Sequence, residues 1–250
     1  KGFTVLSSPD VIKTLQTLPG VASGTELLSG MYVHGGIGSD NLFLLDGAPL
    51  YQVSHLAGLF SSFNTDIIDN VDFYKSGFPA RYGSRMSSIV DVSTKDGDMQ
   101  EYHGLFSIGL LDGRLQFEGP IVKGRTSFNV AMRRSWIDVL SVPALAIVNR
   151  TMRDKTRLHY AFGDFNVKVT HLFAPDNKLT AAFYYGKDSF NFGFDYVGQY
   201  MYGELIPGGE DLTDSDGIEL KWGNILASLR WQNRLTDQLT SDIKAYYTKF

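Results

Sequence analysis

The feature that most limits what this chain can fold into is a two-faced alternation that begins near residue 101 and runs to its last residues. Tyr102, Phe106, Ile108 and Leu110 share one parity, with His103 and Ser107 on the other. Leu115, Phe117 and Ile121 alternate with Arg114, Gln116 and Glu118, and Phe128, Val130, Met132 and Trp136 with Ser127, Asn129, Arg133 and Ser135. The same grammar sets Phe165, Val167, Val169 and Phe173 against Asp164, Asn166, Lys168 and Thr170. Leu179, Ala181, Phe183 and Tyr185 form a further apolar row. Ile225, Ala227, Leu229 and Trp231 alternate with Asn224, Ser228, Arg230 and Gln232, and Ile243, Ala245 and Tyr247 with Asp242, Lys244 and Tyr246. A period of two puts successive side chains on opposite faces of a strand. Residues 101–250 are therefore expected to form about seven antiparallel strands.

The connections alternate as well. Short turns are expected at Lys123-Gly124-Arg125, at Pro175 to Lys178 and at Thr236-Asp237-Gln238, with long irregular loops over Leu140 to Leu158 and Tyr196 to Glu219. Strands near the ~9–11 residues needed to cross a bilayer, with short turns at one end and long loops at the other, describe an outer-membrane barrel. A soluble β-sandwich also alternates, but its strands are shorter and an enclosed core gives no reason for such loop asymmetry. An open barrel edge is not tolerated in lipid, so on the barrel reading the chain is incomplete.

Composition narrows the function. Abundant Phe and Tyr, with Gly common and Pro scarce, favour strands and tight turns. A net charge of −4 with no basic block argues against nucleic acid, and the lack of cysteine excludes disulfides and thiolate metal sites. The most apolar run, Val139 to Val148, is shorter than a transmembrane helix and contains Pro143. The opening Lys1-Gly2-Phe3 is not a signal peptide and reads like the middle of a longer protein.

Residues 1–100 follow another grammar, that of a small α+β domain. Asp10 to Leu18 reads as a helix with Asp10 as N-cap, ended by Pro19-Gly20. Met31 to Val33 and Asn41 to Leu45 read as strands, the second closed by Asp46-Gly47. Thr65 to Asn70 looks like a helix start before a strand at Val71 to Lys75, and Ser88 to Thr94 alternates as a further strand.

Several runs in order carry a resemblance: Leu18-Pro19-Gly20-Val21, Met31-Tyr32-Val33-His34-Gly35-Gly36, Asn41 to Tyr51, Tyr74-Lys75-Ser76-Gly77-Phe78-Pro79-Ala80-Arg81-Tyr82-Gly83, and Ser88 to Gly97. Together they resemble the plug of TonB-dependent outer-membrane receptors, most nearly those of Bacteroidota. The resemblance implies an α+β plug domain (residues 1–100, its first part missing) followed by the first strands of a transmembrane β-barrel (residues 101–250). It also implies a TonB box outside this stretch. Short turns would face the periplasm and long loops the exterior. The implied partners are TonB with its inner-membrane energising complex, outer-membrane lipids, a surface-exposed lipoprotein, and a small-molecule, peptide or glycan ligand.

The family commonly has Arg where this chain has His34 and Lys75. Those arginines pair with barrel carboxylates, and neither replacement offers the bidentate fork of a guanidinium. His34, Lys75, Arg81 and Arg85 are thus the expected plug–barrel contacts, with Glu118, Asp164 and Asp242 as lumen-facing candidates. Tyr51, Ser54 and His55 lie in a loop expected at the plug apex, where they would touch ligand. The scattered histidines show no zinc spacing, and Ser54-His55 matches no nucleophile elbow. No metal, cofactor or catalytic residue is expected. The acidic stretch Glu210 to Glu219 reads as a solvated loop. Two functions stay open: active transport of a scarce nutrient driven by TonB, and a non-transporting structural role in an outer-membrane complex.

Overall fold

The computed structural model describes residues 4–5, 8–23, 31–33, 40–75, 77–79, 82, 87–152, 155–197, 200–201, 204–205 and 213–250. The N-terminal domain opens with helix α1 (Val11–Gln16), and Asp10 caps it by accepting from the Lys13 amide at 3.1 Å. The other oxygen of Asp10 accepts from the Ser61 amide at 2.7 Å, so one carboxylate starts the helix and ties it to a later segment. Val11, Ile12 and Leu15 turn inward, and Pro19-Gly20, the glycine at φ 81°, ends the turn that follows. Strands β1 (Val21–Ser23) and β2 (Met31–Val33) form an antiparallel pair.

A second sheet contains β3 (Asn41–Leu45) and β4 (Ala48–Pro49), joined by Asp46-Gly47 with φ of 49° and 72°. Positive φ at both positions is the two-residue hairpin turn whose twist matches its strands. A small pair, β5 (Ser54–His55) and β6 (Phe60–Ser61), crosses the domain next. Strands β7 (Ile68–Tyr74) and β8 (Ser88–Thr94) complete the sheet in the order β4–β3–β8–β7, with β8 parallel to β3 and antiparallel to β7. The helix expected from Thr65 is only a 3₁₀ turn, Thr65–Ile67. Asn64 caps it through the Asp66 amide at 3.2 Å, and the chain is extended from Ile68 because β-branched Ile68 and Val71 pack in the sheet. Ile12, Met31, Val33, Phe43, Leu45, Val90 and Val92 form the core.

Seven strands follow in one antiparallel sheet, paired in chain order: β9 (His103–Ile108), β10 (Asp112–Val122), β11 (Thr126–Ser135), β12 (Lys155–Ala174), β13 (Asn177–Val197), β14 (Thr213–Thr236) and β15 (Leu239–Lys249). The three short turns fall where expected, all at one rim. The other rim differs from expectation in two places. Leu140 to Leu158 is not irregular: it holds helix α2 (Ile137–Val148), with Pro143 inside. Asn149 at its end exchanges two hydrogen bonds with the Thr156 backbone, at 2.9 and 3.0 Å, and Ser141 donates to the Leu158 carbonyl. The loop thereby covers the edge of β12 that rises beyond β11, which answers the exposed backbone of an edge strand. Tyr196 to Glu219 is also shorter as a loop than expected, because β13 and β14 stay paired up to Val197 and Thr213.

The sheet is inverted relative to a water-soluble one. Arg114, Gln116, Ser127, Asn129, Arg133, Asp164, Asn166, Lys168 and Thr170 are buried against the N-terminal domain. Leu115, Phe117, Met132, Leu229, Trp231 and Ile243 are 44–57% exposed on the opposite face. Removing such a side chain from water is worth ~1.5–3 kcal/mol, so a continuous outward band of them demands a non-aqueous cover. Towards the long-loop rim the polarity reverses without a change of register. Phe190, Phe192, Phe194, Leu220 and Trp222 occupy the inward parity there, while Lys187, Asn191, Glu219 and Lys221 occupy the outward one.

Candidate functional site

The chemistry of the molecule is concentrated where the N-terminal domain meets the inner face of the sheet. β5 carries His55 into the wall, 2% exposed. Its Nδ1 lies 2.7 Å from Asp188 Oδ2 on β13 and its Nε2 2.9 Å from Asp164 Oδ1 on β12. The ring is stacked on Phe162, with centroids 4.3 Å apart and planes at 7°. Next in the chain, Leu56 sits at φ 48°, a left-handed conformation costly for a branched side chain. It directs its amide at Tyr160 Oη, 2.6 Å away.

The wall completes the cluster. Arg133 on β11 donates through Nε to Asp164 at 2.8 Å, also through Nη2, and that same nitrogen donates to the Ser61 carbonyl at 2.7 Å. Tyr184 donates to Asp164 at 2.8 Å, and Tyr160 donates to Asp188. With both imidazole nitrogens facing carboxylates, only the doubly protonated ring donates on each side. Burial pushes the His55 pKa down, but the charge and hydrogen bonds of the two aspartates outweigh it, and the net shift is upward. Charges then balance: His55 and Arg133 against Asp164 and Asp188. The wall alone supplies two negatives and one positive, and the inserted domain supplies the missing cation.

Further contacts repeat the pattern around the circumference. Asp66 receives Arg114 through both oxygens at 2.8 and 2.9 Å. Lys168 reaches Asp46 at 3.1 Å and the Thr94 carbonyl at 2.6 Å. Asp96 takes ion pairs from Lys168 and Lys178. Burial raises its pKa, but the two ammonium groups lower it further, so the net shift is downward. Asn224 pairs with both backbone groups of Gln52, at 3.1 and 2.7 Å, and Thr248 donates to the Pro49 carbonyl at 2.9 Å. Towards the short-turn rim a polar cavity of about 220 Å³ is lined by Asp46, Asp91 and Asp96 of the domain and by Lys168, Arg230 and Lys244 of the wall.

The expected site residues are placed unevenly. Tyr51 is 56% exposed, whereas Ser54 is buried, and His55 is not at an open surface but inside the contact with the wall. Expected to touch ligand, His55 here faces Asp164 and Asp188 of the wall. Lys75 donates to the Pro19 carbonyl within its own domain. His34, Arg81 and Arg85 lie outside the described residues. Of the wall carboxylates, Asp164 meets the domain, Asp242 pairs with Arg230 of the neighbouring strand, and Glu118 accepts from Asn129 at 3.5 Å. Sequence reading missed Arg133, Tyr160, Tyr184 and Asp188; for Arg133 and Asp188 the available signal was a charge at inward parity in the middle of a strand. Among the described residues no group of His and carboxylates could hold a metal ion.

The family model described as "TonB-dependent Receptor Plug Domain" matches residues 5–89. The match lies wholly within the N-terminal domain. Among solved structures, the chain is similar to the siderophore receptor PirA from Acinetobacter baumannii, at 12% identity and a TM-score of 0.50, covering 99% of this chain and 46% of that one. It is also similar to a mutant of the ferric enterobactin receptor PfeA from Pseudomonas aeruginosa, at 14% identity and 0.48, covering 96% and 47%. For the alcaligin receptor FauA from Bordetella pertussis the values are 14% and 0.39, covering 96% and 52%. No curated protein matches the chain by sequence. The chain spans about half the length of the solved structures it matches. The fold is thus a plug followed by antiparallel barrel strands, and the buried cluster is a contact between plug and wall.

Proposed function

We propose that this chain belongs to an active transporter of the bacterial outer membrane, of the Bacteroidota type, that imports a scarce nutrient. Ligand binds above the plug at the long-loop face, and TonB, driven by the inner-membrane energising complex, remodels the plug to open a path. The observation that carries this reading is the character of the plug–wall contact. It is built of hydrogen bonds and ion pairs rather than apolar packing alone. Water can replace such bonds one at a time, so a plug held this way stays shut at rest and yields locally. The inward aromatics Phe192 and Phe194, with Tyr51, are exposed and supply apolar surface for a ligand.

The experiment is uptake in the native host, comparing the intact gene with one lacking the N-terminal TonB-contact segment, across iron chelates, cobalamin-like compounds, peptides and glycans. Loss of one class, with the barrel still in the outer membrane, supports transport and finds the substrate. No change for any class, with other outer-membrane proteins lost on whole-gene deletion, sinks it in favour of a structural role.

A further inference from the structure

The outward face of the wall changes chemistry within one row of residues, and a notch sits at the change. Phe106, Leu115, Met132, Phe165, Tyr185 and Ile225 stand opposite one another across β9 to β14, an unbroken apolar row. The next outward row towards the long loops is Ile108, Gly113, Arg134, Gly163, Lys187 and Gly223. Its only charged side chains are two cations on β11 and β13, two strand spacings or ~9–10 Å apart. Gly163 lies between them, where an added Cβ would meet nothing nearer than the Arg133 carbonyl at 3.4 Å. The Trp136 ring lies over Gly113, its Nε1 donating to the Leu110 carbonyl at 3.0 Å, and walls the notch on one side. The notch is open to the outside and offers about 650 Å³.

Arg134 gives one nitrogen to Asp138 at 2.8 Å and another to the Ser135 carbonyl at 3.1 Å, yet its side chain remains 59% exposed. Lys187 is exposed and has no ion pair among the described residues. A lysine at the edge of an apolar band needs no partner if it only keeps its head in water. Snorkelling does not account for a second cation two strands away, a side-chain-free floor between them and an indole wall. These features suit a ligand with a compact anionic head and an apolar body directly below it.

We propose that this notch holds the phosphorylated headgroup of a membrane lipid, with Arg134 and Lys187 on the phosphate and the acyl chains along Phe165 and Tyr185. The proposal rests on the reading of the wall as membrane-spanning. To test it, full-length protein is extracted from membranes in neutral detergent. It is then titrated with phosphatidic acid or with phosphatidylcholine of the same chains, and bound lipid is counted by native mass spectrometry. Phosphatidic acid is expected to bind about thirtyfold more tightly, the scale on which two surface cations hold an anionic head. The Arg134→Gln/Lys187→Gln double variant should lose that preference, and Arg134→Lys/Lys187→Arg should keep it. An undiminished preference in the glutamine variant overturns the site. Displacement by equimolar inorganic phosphate overturns the lipid as its source. Recovery of the protein without detergent would instead defeat the membrane reading itself, before any lipid is added.

Discussion

At the residue scale, His55 is the side chain on which most depends. Removing one partner from a buried ion pair costs about 3–5 kcal/mol, because the remaining charge is left uncompensated. His55→Gln is therefore expected to loosen the plug by that amount, read as a lower urea concentration for protease access to the plug in the full-length protein. The pH dependence has a definite sign. A histidine whose pKa is raised by folding contributes fully below its unfolded value of ~6.5 and loses the contribution as pH rises through the higher folded value. Wild-type plug retention should thus fall as pH climbs above that range, while His55→Gln should be flat there. Equal slopes in both proteins would mean that the imidazole is not charged in the contact. Asp96 works in the opposite direction: its lowered pKa gives stability that is present above ~4 and lost on further acidification. Asp164 was legible as a lumen-facing carboxylate, but neither it nor Asp188 could be matched to His55, from which they lie 109 and 133 residues away. Alternation showed which wall residues face inward. It carried no information on which plug residue each one meets.

At the scale of elements, one turn and one cap decide most. Gly97, between plug and wall, has φ 87°, and a Cβ there would stand 2.3 Å from the Phe128 carbonyl. Gly97→Ala combines a strained backbone with a clash against backbone, and its expected outcome is a loss of folded, heat-modifiable protein on gels. Asp10→Ala should cost about 1–2 kcal/mol for the lost cap. It also removes the tie to Ser61, so its measured effect on plug unfolding should exceed that of a cap alone. The elements were read well where local chemistry sets them: Asp10 as a cap, Asp46-Gly47 as a turn, Ser88 to Thr94 as a strand. They were misread where distant packing sets them. Thr65 begins like a helix, but β7 takes the chain into the sheet, and α2, none of whose residues is buried, is tied to β12 through Ser141 and Asn149.

At the scale of the molecule, the inverted sheet makes a prediction about each face. Leu229→Arg or Phe117→Arg on the outward side should destabilise the protein by up to ~2–4 kcal/mol in lipid, measured by urea unfolding from vesicles. The expected effect is depth-dependent and shrinks towards the rims. The two-part organisation was legible because alternation is a long-range signal repeated in every strand. The height of the wall was not: β12, β13 and β14 run for 20, 21 and 24 residues, about twice what a tilted span needs. Residues at that height look like loop because their inward parity turns aromatic just where their outward parity turns polar.

The distribution of the plug–wall bonds along the chain also has a mechanical meaning. Those described above run from Asp46 to Asp96 on the plug side and are shared among β10, β11, β12, β13, β14 and β15. On the proposed reading, a tether drawn from the N-terminal side would load α1, the β1–β2 pair and the Asp10–Ser61 tie first, and the wall anchors through them. The first give is then an unravelling of short local structure, with the anchors behind it still intact. The plug would behave as a spooled line fixed at its far end, which pays out a fixed length under tension and rewinds when slack returns.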